Sequence, residues 1–118
     1  MRTIVVATLE DAIAALRQGG PVRLCSAPFA SASLGAAGFL AIITAARAAV
    51  PGVEAEAVLD CGDAPGHALG ALRLGLKAVS LSAPPETLAK LADIAAQSGA
   101  RIYQSSSSGP LRAIFPPN

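Results

Sequence analysis

The strongest constraint on this chain is a regular alternation of two hydrophobic periods. Short apolar runs rich in β-branched residues occupy residues 3–7, 22–25, 53–59, 77–81 and 101–104, and each has the length and composition of a strand. Between them lie stretches in which apolar residues recur every three or four positions, the period of a helix with one buried face. These predict helices near residues 9–18, 34–49, 65–74 and 84–98. Five strands alternating with four helices over short connections predict a single α/β domain with a mostly parallel five-stranded sheet. An open three-layer sandwich fits this pattern. The alternative is a half-barrel-like arrangement, because a full (β/α)₈ barrel needs about 250 residues and the chain has 118.

The punctuation between elements supports these boundaries. Thr8 precedes the first helix with Asp11 three residues on, the spacing of a capping box. Gly19-Gly20-Pro21 and Pro51-Gly52 stop the first two helices, and Gly75 and Gly99 stop the other two. Asp63 and Ser82 are placed to cap the third and fourth helices, the latter opened by Pro84-Pro85. Residues 26–33 read as a loop of small residues around Pro28 and Phe29. Residues 1–104 thus form the domain. Residues 105–118 read as a Ser-rich linker followed by an apolar tail, Leu111, Ile114 and Phe115, packing on the domain or on a neighbouring subunit.

Composition narrows the partners. Only 14% of residues are charged and 53% are hydrophobic, against about 25% charged in ordinary soluble domains. So low a charge leaves apolar surface to cover, and a homo-oligomer is expected. The net charge is +1 and aromatic residues make up 3%, so nucleic-acid binding has neither a basic stripe nor stacking platforms. The uncharged run 24–46 has the length of a bilayer span. Pro28, Ser26, Ser31 and Ser33 interrupt it, however, and no membrane segment is expected. Glu10 and Asp11 come too early for the apolar part of a secretory leader. A reducing cytoplasm is the expected setting, with Cys25 and Cys61 as free thiols.

The chemistry-bearing side chains gather in one place. Val58-Leu59-Asp60-Cys61-Gly62-Asp63-Ala64-Pro65-Gly66-His67 holds two acids, a thiol and the chain's single histidine at a strand-to-helix turn. Parallel α/β proteins bind ligands at the carboxyl ends of their strands. Asp60, Asp63 and His67 are therefore the candidate catalytic groups, with His67 as a proton carrier beside a carboxylate. Against this stands a structural role, a capping Asp and a satisfied His. Ser26, Ser31, Ser33, Gly35, Cys61 and Ser82 are the candidate ligand-binding residues. Of these, the serines and glycine of 31–38 have hydroxyl and backbone N–H groups that can hold an anion at a helix start. They lack the Lys of a P-loop and the glycine order of a dinucleotide site. No metal is expected, because Asp60, Cys61, Asp63 and His67 lack the paired spacings of zinc sites. No cofactor is indicated.

Two functions remain open at this level. One is a domain that binds a small, anionic molecule at the carboxyl edge of its sheet, with or without catalysis. The other is a non-catalytic, homo-oligomeric assembly or regulatory protein.

Overall fold

The computed structural model describes residues 1–105 and 111–116. The elements run β1 (Arg2–Val5), α1 (Leu9–Arg17), β2 (Val22–Cys25), α2 (Ala30–Ser33), α3 (Ala36–Ala49), β3 (Ala55–Asp60), α4 (Pro65–Leu74), β4 (Ala78–Leu81), α5 (Pro85–Gln97), β5 (Arg101–Gln104) and β6 (Arg112–Ile114). The domain is α/β with a mostly parallel sheet, but the sheet has six strands and not five. β6 runs antiparallel to β5, pairing Ile102 with Ile114 and Gln104 with Arg112. A three-residue strand between a serine run and Pro116 offers too short a pattern to read from sequence. The Ser-rich linker lies, from residue 106 to 110, outside the described residues.

The strands lie in the sheet in chain order, β1 through β6. Crossovers between parallel strands are right-handed, and when the order never reverses, each crossover returns on the same side. The side chains agree. Leu16 of α1, Phe39 and Ile43 of α3, Leu72 of α4 and Leu88 and Leu91 of α5 form one core with Val22, Leu24, Leu59, Leu81 and Ile102. A smaller cluster on the other face holds Val58, Ala78 and Tyr103, flanked by Cys25, Leu111 and Ala113, and no helix contributes to it. The helices therefore line one face, as in the half-barrel-like arrangement. A three-layer sandwich needs a reversal of strand order to send helices to the second face, and that reversal is missing.

Alternation along each strand decides which side chains meet the helices. In β2, Val22 and Leu24 enter the core, and Arg23 and Cys25 point to the helix-free face. In β3, Leu59 is buried among the helices, while Glu56, Val58 and Asp60 share the opposite parity. Thr8 caps α1 as expected. Its hydroxyl accepts from the Asp11 N–H at 3.1 Å, and the Asp11 carboxylate accepts from the Thr8 N–H at 3.2 Å. The other two expected caps are not made. The residue before α4 is Ala64 and that before α5 is Pro84, and neither makes a side-chain cap. A proline in the first turn supplies the helical φ and needs no partner for its nitrogen, which removes part of the demand for a cap. The expected loop 26–33 contains the single-turn helix α2.

Candidate functional site at the carboxyl ends of the strands

Asp60 is the last residue of β3, and the parallel register sets Ser80 of β4 directly beside it. On its other side the ladder continues one residue past β2, where the Ser26 N–H donates to the Val58 carbonyl at 3.0 Å. This brings the Ser26 hydroxyl to the Asp60 N–H, at 2.9 Å, while the same hydroxyl donates to the Ala27 carbonyl at 3.0 Å. The Asp60 carboxylate ties three segments together. Oδ1 accepts from the Phe29 N–H at 2.9 Å and from the Gly62 N–H at 2.8 Å, and Oδ2 accepts from the Ser80 hydroxyl at 3.3 Å. Hydrogen bonds to an ionised group are the stronger kind, so Asp60 fastens both the β2–α2 loop and the β3–α4 turn to the sheet edge.

Phe29 occupies the left-handed region, with φ of 53°, an uncommon conformation for a residue with a side chain. Its ring lies on Gly62, where an added Cβ would fall 2.8 Å from the ring. The ring also meets the His67 imidazole, with centroids 5.7 Å apart and planes tilted by 45°. His67, in the first turn of α4, is exposed, and its Nδ1 lies 3.0 Å from the hydroxyl of Ser31 on α2. Below them Cys61 is fully buried. Burial pushes its thiol up to about 11; the nearby Ser31 hydroxyl opposes that shift and the charge of Asp60 adds to it.

The remaining sequence-derived candidates fall outside these contacts. Asp63 is exposed and makes no side-chain hydrogen bond among the described residues. Ser33 is exposed at the end of α2. The Gly35 N–H is already bound to the Ala30 carbonyl at 2.9 Å, so it does not face a ligand. Ser82 is exposed, and its N–H donates to the Gly62 carbonyl at 2.8 Å. Asp60 and His67 are joined through Phe29, which gives its N–H to one and its ring to the other.

On the helix-free side of the same edge is a hollow of about 370 Å³, lined by Thr3, Arg23, Cys25, Ser26, Val58, Asp60, Ser80 and Leu111. The Cys25 thiol there is pushed up to about 11 by burial, with the charge of Arg23 opposing. Next to it is a polar network with no local signature in the sequence. Arg23 Nε bonds Glu56 at 2.9 Å, and the Tyr103 hydroxyl donates to the same carboxylate at 2.8 Å. The guanidinium lies 4.8 Å from the Tyr103 ring centroid, a cation–π distance. The one clue was parity: Arg23 and Glu56 interrupt otherwise apolar strands on the face away from the helices. A larger hollow, about 410 Å³, opens at the opposite end of the sheet. Two of its cations, Arg47 and Lys77, donate to the carbonyls of Ala55, at the start of β3, and Ser98, at the end of α5, so both are already used within the fold.

Among the described residues no three His, Cys, Asp or Glu side chains group closely enough to hold a metal, and no helix is long and apolar enough to cross a membrane. Comparison with protein-family models, with curated proteins and with solved structures found no match to this chain. Fold and site together define a two-layered α/β domain with a polar hollow on the uncovered face of its sheet.

Proposed function

We propose that the protein binds a small polar molecule in the hollow beside Asp60. The observation that carries this reading is the state of the Asp60 carboxylate. Oδ1 is saturated by two backbone N–H groups, whereas Oδ2 has one long bond, to Ser80. A carboxylate oxygen has room for a second donor, and Asp60 lines a hollow together with the hydroxyl-bearing residues Thr3, Ser26 and Ser80. The volume suits a small ligand, and apolar walls with a few convergent polar groups are the usual composition of such sites. Val58 and Leu111 supply the apolar wall. The Asp60 carboxylate disfavours an anion, and Arg23, which also lines the hollow, is already paired with Glu56, so the ligand is an amine or a polyol in place of the anionic one suggested by the serine- and glycine-rich stretch. The free thiols of Cys25 and Cys61 support a reducing, cytoplasmic setting.

Thermal shift with a panel of small amines and polyols, and with inorganic phosphate as the anionic control, tests this. A ligand that binds only the folded state raises stability by about 2.7 kcal/mol at one hundred times its dissociation constant. Amines or polyols should stabilise, phosphate should not, and Ser80→Ala together with Thr3→Val should reduce the effect. Stabilisation by phosphate alone, or none by the panel, rejects the reading.

A second reading, self-assembly, has its own observation. β1 is an outer strand of the sheet; Val5 on it is 62% exposed, and Met1 just before it 65%. A strand edge is a ready template for pairing with another chain, and the one charge on β1, Arg2, is turned to Gln18 and the Gly19 carbonyl. Light scattering of the wild type and of Val5→Lys tests it: an oligomer that dissociates in the variant supports assembly through β1, and a monomeric wild type excludes it.

A further inference from the structure

We propose that Ser31 and His67 form a nucleophile–base pair that accepts the acyl group of a small activated ester. The site lies on the outer side of Phe29 and does not depend on the hollow or its ligand. Its first support is distance. Ser31 Oγ and His67 Nδ1 are 3.0 Å apart, within the reach that marks an activated nucleophile and its base. When Nδ1 is unprotonated, the hydroxyl donates to it, which is the arrangement needed to take up the serine proton. Ser31 is half-buried and His67 exposed, so the pair is accessible to a small ligand.

The second support is strain next to the nucleophile. Phe29, two residues before Ser31, is held at φ of 53°, a conformation that residues with a side chain rarely adopt. That conformation is maintained from several directions, by Asp60 Oδ1 on the Phe29 N–H, by Gly62 under the ring and by His67 against its side. Strained backbone that the surroundings over-determine clusters at functional sites. Here it sets the position of α2, and thereby of Ser31, relative to α4. The neighbouring Cys61 does not compete as a nucleophile, since it is fully buried and burial pushes its thiol up to about 11.

The reaction balances with water as the second reactant. Ser31 Oγ bonds to the carbonyl carbon as its proton passes to His67 Nδ1. The tetrahedral intermediate expels the alcohol oxygen, which takes the proton from Nδ1 and leaves an acyl-serine. Water then attacks the acyl carbon and gives a proton to Nδ1. The bond to Oγ breaks, and that proton returns to Oγ.

The test uses the intact protein with p-nitrophenyl acetate and, separately, a fluorophosphonate probe. The expected results are release of p-nitrophenol above the buffer rate and peptide mapping that finds the label on Ser31. Ser31→Ala should abolish both. His67→Gln should slow them by about 10²-fold or more, the lower bound for general base catalysis, and added imidazole should restore part of the rate in His67→Ala. A purely structural histidine would not be rescued by imidazole. Label on any residue other than Ser31, or no release above buffer by the wild type, overturns the proposal. Mapping in the wild type decides this even if a variant fails to fold.

Discussion

Phe29 and Gly62 are locked together by complementary backbone departures. Both have positive φ, 53° and 58°, and the phenyl ring fills the space that a Cβ on residue 62 would need. Each conformation supports the other, since both N–H groups converge on the same oxygen of Asp60. Gly62→Ala should therefore be costly. The left-handed backbone and the overlap with the ring together predict a loss of roughly 2–4 kcal/mol in urea unfolding. A loss no larger than that of an exposed Gly66→Ala control would show that the loop relaxes freely.

Asp60 separates into a backbone fastener and a charge. Asp60→Ala leaves the N–H groups of Phe29 and Gly62 without their acceptor and should destabilise by about 2–4 kcal/mol. In Asp60→Asn the amide oxygen can take the place of Oδ1 while the amide nitrogen donates to Ser80 Oγ, so the cost should be about 1 kcal/mol. The ligand response should split differently: stabilisation by an amine should fall in Asp60→Asn even though the fold is kept. Equal losses of stability in the two variants would contradict the assigned bonding.

The Arg23–Glu56–Tyr103 network predicts coupling across three strands. Tyr103→Phe removes the hydroxyl that donates to Glu56, at a cost of about 1–2 kcal/mol because the acceptor is charged and mostly buried. In a double-mutant cycle with Glu56→Gln the two changes should be non-additive by ~0.5 kcal/mol or more. Additive losses would mean that the hydroxyl and the carboxylate act independently.

The two thiols predict a stability limit in base. In the folded chain both are pushed up by burial to about 11, against 9.0 ordinarily. The unfolded chain therefore releases its thiol protons first. Stability is unaffected well below pH 9, falls as pH rises from about 9 towards 11, and levels off above the folded values. Urea midpoints measured across that window should decline, and Cys61→Ala should flatten the slope. The Asp11 carboxyl works at the other end. The backbone N–H of Ala7 holds it below its ordinary 3.8, opposed by partial desolvation and aided by Thr8. Its contribution is complete above 3.8 and disappears as pH falls through the lowered folded value. Thr8→Ala should cost about 1 kcal/mol and weaken that acid dependence.

Local signals were read well where the physics is local. The capping of α1 depends on residues three apart, and the helix stops at Gly75 and Gly99 depend on a conformation that glycine adopts freely. The position of Asp60 at a strand end followed from the apolar run before it. Asp63 and Ser82 do not cap their helices, because a suitable residue near a helix start does not fix where the first turn begins; α4 and α5 instead begin at Pro65 and Pro85. The pairing of Ser31 with His67 and of Ser26 with Asp60 joins positions 36 and 34 residues apart, beyond any periodic pattern.

The sequence by itself determined the α/β class, the alternation along the chain of five strands with four of the helices, and the concentration of polar groups after β3. These follow from hydrophobic period and from turn chemistry, both of which act over a few residues. Tertiary structure decided that all helices share one face, that a sixth strand closes the far edge, and that Arg23, Glu56 and Tyr103 meet. The reason is geometric. A sheet whose order never reverses sends every right-handed crossover to one side, and its parallel register lines up side chains of equal parity from strands far apart in the chain. The uncovered face, with the hollow beside Asp60, is a consequence of that order.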